Sequence, residues 1–225
     1  MTQTTQPKSH AWWHFWHCDR CNPTNQSQTR TILLEAAFQE VHRVGFQAAS
    51  LQNILKQTKL TKGALYHHFP NKQALGYAIV DEMLHGFVTQ YWIEPLTQTN
   101  DPIATLKQSI MAAGQRMTEE DIQLGCPLNN LTQEMAMVDE GFRQRLERIH
   151  TDWRYAISSA LERGQAQQKV TKNINPEQFA IVFIATLEGC IGLAKSAQSL
   201  ELLMACGKGL IDLLDTLHHE KQHIE

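Results

Sequence analysis

From residue 29 onward, apolar side chains recur at the three- and four-residue spacing of a helical face. Ile32, Leu33, Ala36, Ala37, Phe38, Val41 and Val44 make the first stripe, and Gly45 suits the left-handed residue that ends such a helix. Ser50 is a natural N-cap, and Leu51, Ile54 and Leu55 predict a short helix running to about Thr58. Lys59 and Leu60 would make a turn, after which Thr61 can cap a second short helix. Its Leu65 and Phe69 would point inward with Leu60, leaving Lys62, Gly63, Ala64, Tyr66 and His67 outward. Pro70 stops that helix and Asn71 caps the next. Lys72, Leu75, Ile79, Met83 and Phe87 then predict a long helix to about Tyr91, ended by Pro95.

Beyond it the pattern stays helical. Pro102 can start a helix through Ile103, Leu106, Ile110, Ala113 and Met117, and Gly125, Cys126 and Pro127 punctuate a loop. A short helix with Leu128, Leu131, Met135 and Met137 follows, then a long amphipathic one from Phe142 through Trp153 to about Gly164. The last two are expected at 176–197 and 200–219. The first of these is apolar on most sides and needs cover on more than one face. The expectation is an all-α chain of about nine helices, with an extension over 1–28 that lacks packed structure, a helix-turn-helix head over 29–75 and a larger body over 76–225.

The outward face of the second short helix has what a DNA groove requires. Gly63 and Ala64 let the backbone come close, Thr61 and the helix-terminal N–H groups can meet phosphate, and Lys62 can reach a base edge or a phosphate. Charge agrees with this once it is divided along the chain. The total is −3, but residues 29–75 hold six Lys and Arg against two Glu, whereas 76–225 hold twelve against twenty acidic residues. The basic surplus therefore lies where the groove-reading helix lies. With 225 residues and 42% hydrophobic content, the chain can bury one good core and a small satellite domain. No run of eighteen apolar residues implies a membrane span, and AWWHFW near the start does not make a signal peptide. Five cysteines without a dense framework fit a reducing cytoplasm. Cys18 and Cys21, preceded by His14 and His17, have metal-ligand spacing, but all four come from one short segment, so no metal or cofactor is expected.

The stretch ILLEAAFQEVHRVGFQAASLQNILKQTKLTKGALYHHFPNKQAL, with its LYHHFPNKQAL ending, resembles the TetR/AcrR transcriptional repressors. One departure is Lys59, which stands where the family's turn usually has glycine; this costs up to about 1 kcal/mol if that residue takes positive φ. The body segment GCPLNNLTQEMA, with FRQRL downstream, looks like a subgroup that includes electrophile-responsive repressors.

The resemblance implies a homodimer that binds an operator in double-stranded DNA and responds to a small-molecule effector. DNA-binding positions would be Arg30, Ser50, Thr61, Lys62, Gly63, Ala64, Tyr66, His67 and Lys72; for Arg30 the alternative is a solvated charge. Pairing of the last two helices with their copies would use Gly189, Gly192, Leu203, Leu210 and Leu214, unless those helices merely complete the monomer core. An effector pocket would draw on Phe87, Trp92, Met111, Met117, Met135, Trp153 and Phe183, although methionine and aromatic stripes also serve as core. Cys126 is the sharper candidate, because Pro127 opening a helix would set the thiol at a helix N-terminus. A buried cysteine that only packs is the alternative. A thiol- or metal-sensing regulator using Cys126 or the Cys18/Cys21 pair is the second reading. An enzyme is not expected: no phosphate loop, nucleophile elbow, HExxH or convincing carboxylate pair is present, and Glu119, Glu120 and Asp121 look like a solvated helix end.

Overall fold

Polar caps and apolar stripes divide the chain much as their spacing predicts. The computed structural model describes residues 25–218, which are helical with no strand among them beyond one isolated bridge between Val170 and His218. Counting 72–97 as one continuous run, nine helices of seven or more residues lie among the described residues. They are α1 (Asn25–Val44), α2 (Leu51–Thr58), α3 (Lys62–His68), α4 (72–97), α5 (Pro102–Arg116), α6 (Pro127–Met135), α7 (Glu140–Ala166), α8 (Pro176–Ala197) and α9 (Leu200–Asp215). A six-residue helix, Glu119–Leu124, stands between α5 and α6. The Cys18, Cys21, His14 and His17 cluster lies outside the described residues, and residues 25–28 of the expected unpacked extension form the first turn of α1.

The main correction concerns α4, which passes Pro95 and continues to Thr97. Proline has no N–H and its ring crowds the carbonyl four residues back, so a regular helix should break there. Here the turn over Thr89–Ile93 widens to a π-helix, in which Glu94 N–H reaches the Thr89 carbonyl five residues back. Ser109 Oγ on α5 donates to the Tyr91 carbonyl (3.3 Å), the acceptor that Pro95 leaves without its usual partner. A second π-turn, Ile79–Leu84, lies nearer the head. Widened turns of this kind are often found at functional sites.

Asp121 is also unlike the expected solvated helix end. It is buried, and its carboxylate accepts from the N–H and hydroxyl of Thr118 (2.8 and 2.6 Å) while Thr118 Oγ1 caps the Asp121 N–H, a reciprocal capping box. Met137, expected in the short helix, lies beyond its end and is exposed.

One core joins head and body. Leu33, Leu34, Ala37 and Phe38 of α1 meet Leu65 and Phe69 of the α3 region, and α4 carries the same core onward through Leu75, Ile79 and Val80 to Trp92 and Leu96. The 27-residue α7 then supplies Phe142, Leu146, Ile149, Trp153, Ile157 and Leu161 on one face. By length and composition α8 could cross a membrane, at a mean hydropathy of 1.6 over its most apolar window. Its two faces account for that: Ala180, Phe183, Ile184, Leu187 and Ala194 enter the core, while Ile181, Val182 and Leu193 stay apolar and exposed.

Candidate DNA-reading face and internal cavity

Three side-chain caps fix the head. Ser50 Oγ accepts from Asn53 N–H (3.4 Å), Thr61 Oγ1 from Ala64 N–H (3.2 Å) and Asn71 Oδ1 from Ala74 N–H (2.7 Å). Glu40, buried on α1, binds the start of α2 from below: its carboxylate accepts from Asn53 Nδ2 and from Arg43, both at 2.8 Å. Lys59 does take the left-handed conformation, with φ 57° and ψ 21°, so the turn carries a strain of about 1 kcal/mol that glycine would relieve. With Leu65 and Phe69 buried, Thr61, Lys62, Gly63, Tyr66 and His67 lie exposed on one side of α3, and Ala64 is half-buried beside them. Nothing but Thr61 Oγ1 comes near the space above Gly63. The resulting surface is small, open and basic, and it projects from a rigidly capped helix.

Two cations assigned to the same task are placed differently. Arg30 makes a bidentate pair with Glu82 of α4, both contacts at 2.6 Å, and its guanidinium lies 5.0 Å from the centre of the Phe69 ring. It ties α1 to α4, and a phosphate would have to compete with Glu82 for it. Lys72 donates to the Gln47 carbonyl (3.0 Å) and sits 5.0 Å over the Phe46 ring, and burial lowers its pKa.

The loop between α1 and α2 is held by the body. Glu134 on α6 accepts from the N–H groups of Phe46 and Gln47, each at 2.8 Å, directly after Gly45 at φ +82°. A Cβ at Gly45 would come within 2.9 Å of that carboxylate. Beside it, His42 Nε2 donates to the Gly125 carbonyl (2.8 Å), a second tie between α1 and the body. Sequence periodicity had no means of showing either contact, because 88 residues separate Phe46 from Glu134.

In the body, a cavity of about 440 Å³ opens between α4, α5, α8 and α9, closed by the start of α6 and by Trp153 of α7. That volume suits a drug-sized ligand. Phe87, Trp92, Met111, Met117, Cys126 and Trp153 all line it. Met135 and Phe183 do not; both are core, with Phe183 stacked beyond Trp92 against Phe179. Aromatic rings dominate one wall, with Phe87 and Tyr91 4.9 Å apart and Trp92 and Trp153 5.2 Å apart.

Glu188 was not anticipated. It is 9% exposed on α8 and lines this apolar space. One carboxylate oxygen accepts from Cys126 Sγ (3.3 Å), and the other is buried without a hydrogen bond. Burial pushes its pKa up to about 7, against the lesser opposing effect of the thiol bond. Trp153 Nε1 is likewise buried without an acceptor. The one sequence signal was an acid inside an otherwise apolar helix.

Cys126 does occupy the N-cap of α6, with Pro127 in its first turn. The helix terminus does not make the thiol acidic, however. Burial and the neighbouring Glu188 carboxylate raise its pKa well above the usual thiol range, outweighing the backbone N–H groups of Asn129 and Leu128. Cys190 is buried and Cys206 half-buried, in keeping with small apolar roles.

The residues expected between subunits separate into two groups. Gly189 and Gly192 are exposed with nothing within 4 Å of their added Cβ. Leu210 and Leu214, in contrast, are core, and Leu203 is half-buried against the cavity. The helical phase of α9 turns Leu210 and Leu214 inward, and the large apolar side chains left exposed on it are Leu200, Met204 and Leu213. Ile181, Val182 and Leu193 of α8 are likewise large, apolar and exposed.

Residues 33–79 match the model for bacterial regulatory proteins of the tetR family, and 102–205 match that for the tetracyclin repressor-like C-terminal domain. The chain is 29% identical over 192 residues to the HTH-type transcriptional regulator of the lacX 3' region in Lactococcus lactis, covering 85% of this chain and 94% of that one. The crystal structure of reduced NemR from Escherichia coli aligns with a TM-score of 0.68 at 26% identity, over 84% of this chain and 97% of that one. A regulatory protein from Rhodobacter sphaeroides shares the fold, with a TM-score of 0.73 at 24% identity over 83% and 98% of the two chains.

Proposed function

The chain belongs to the TetR family of bacterial transcriptional regulators, DNA-binding proteins that respond to ligands, and we propose on that footing that it is a homodimeric repressor released from a palindromic operator by a small molecule in the body cavity. The observation that carries this reading is the continuity of α4. Its first turns belong to the head core through Leu75 and Ile79, and the same helix walls the cavity through Leu84, Phe87, Tyr91 and Trp92. A ligand that moves this wall moves the head with it. In a symmetric dimer the separation of two α3 helices must match successive turns of the major groove, so a small change of head angle weakens binding.

In this reading residues 29–75 form the DNA-binding unit and 76–225 the effector and dimer unit. Lys62 reads a base edge or a phosphate, Thr61, Tyr66 and His67 hold the backbone, and Gly63 and Ala64 allow close approach. The exposed face of α8, with Gly189 and Gly192 at its centre, packs against its copy together with the outer face of α9. The protein works in the cytoplasm, where the DNA is, and no catalytic step is needed. Its primary test is a gel shift against DNA flanking the protein's own gene. Lys62→Ala with Tyr66→Ala should weaken specific binding by roughly 1 to 3 kcal/mol and lower its salt dependence. Unchanged affinity in a folded double variant would refute the α3 assignment.

A further inference from the structure

The cavity is apolar almost throughout, yet one of its walls holds a carboxylate. Leaving an acceptor buried without a partner costs free energy that a merely structural apolar wall would not incur, and a leucine at position 188 would pack at no such cost. Glu188 has no ion-pair partner among the described residues. The two cations that border the cavity, Arg116 and Lys208, do not supply one: Arg116 lies 4.4 Å over the Tyr91 ring and Lys208 is exposed on α9. The carboxylate is thus a buried polar group for which the described residues supply no cation. Trp92 and Trp153 line the same cavity, and their ring faces carry partial negative charge and attract cations as well as apolar groups. A thiol at 3.3 Å completes the surroundings without neutralising the acid.

We propose that the cavity is a binding site for a hydrophobic amine in its protonated form, with the ammonium N–H donating to the Glu188 carboxylate and the apolar body lying against the aromatic wall. A fatty acid or other anionic ligand is disfavoured, since its charge would oppose Glu188 at the inner wall. The inference rests on the reading of this cavity as the effector site but concerns the ligand's chemistry, which can be measured without DNA.

The experiment uses the full-length protein and a matched pair of probes, diphenylpropylamine and the uncharged diphenylpropanol. Binding at pH 8 is followed by quenching of tryptophan fluorescence and by calorimetry in two buffers at pH 7. The amine should bind about tenfold more tightly than the alcohol or better, as a charge-assisted hydrogen bond to a buried acid requires. Glu188→Gln should abolish that preference, so that amine and alcohol bind with similar affinity. Amine binding at pH 7 should also release protons, because Glu188 must ionise to receive the cation; alcohol binding should release none. Equal affinities for the two probes, binding of neither, or a preference that survives in the Gln variant would overturn the proposal. Operator binding separates this from the broader reading. A Glu188-dependent preference for amine that leaves DNA affinity untouched would keep the ligand class and refute the effector role.

Discussion

Replacing Glu188 by Gln should stabilise the protein, and the gain should depend on pH. The carboxyl titrates at about 7 in the fold against an ordinary value of 4.5, because burial penalises its charged form. Between those values the folded state binds more protons at this site than the unfolded state does, so stability falls as pH rises. The loss begins above the unfolded value and is complete once the pH has passed about 7. A separation of about 2.5 units corresponds to a cost on the order of 3 kcal/mol at pH 8. Gln has nearly the shape of the protonated acid and cannot ionise. Below pH 4.5 the two proteins should therefore be almost equally stable, and at pH 8 the variant should gain the greater part of those 3 kcal/mol. Urea unfolding at a series of pH values, with protein concentration held constant because the proposed subunit association would contribute to stability, measures the difference. Parallel pH dependence in the two proteins, or a variant that is less stable at pH 8, would refute the account of Glu188 as a buried acid without a counter-ion.

Glu134→Ala should free the Phe46 and Gln47 N–H groups, with a cost of about 1 to 3 kcal/mol since both sites are partly hydrated; hydrogen exchange at these two amides should accelerate, and unchanged protection would mean that the body does not restrain this loop. Gly189→Asp on the exposed face of α8 should yield monomers by sedimentation and a fall in operator affinity, whereas Leu210→Asp should unfold the protomer, because Leu210 is core. Treating the DNA complex with a thiol-modifying electrophile should give slow and similar release in the wild type and in Cys126→Ser, since the thiol's pKa is held above its usual range; rapid release confined to the wild type would restore Cys126 as the sensor.

Local chemistry determined a large share of this molecule. Ser50, Thr61 and Asn71 cap the helices that follow them because their short polar side chains reach N–H groups three residues on, and nothing distant is needed for that. Leu65 and Phe69 face inward and Lys62 and Tyr66 outward because the helical period of α3 leaves no other arrangement with a buried core. Even the strained turn at Lys59 was legible once the head pattern had been identified.

Tertiary structure decided what depended on distant neighbours or on helical phase. Periodicity marks Leu210 and Leu214 as one face of a helix but does not say whether that face meets its own protomer or a second copy; the placement of α9 against α5 and α8 turns it inward. Pro95 reads as a helix end because the local rule counts one missing N–H, and only the widened turn and the Ser109 hydroxyl from α5 allow the helix to pass it. Met135 and Phe183 are chemically indistinguishable from the methionine and aromatic residues that do line the cavity. The bond from Ser109 to the Tyr91 carbonyl, the clamp of Glu134 on the head and the solitary carboxylate of Glu188 all arise between residues far apart in the chain, where spacing along the sequence holds no information about distance in space.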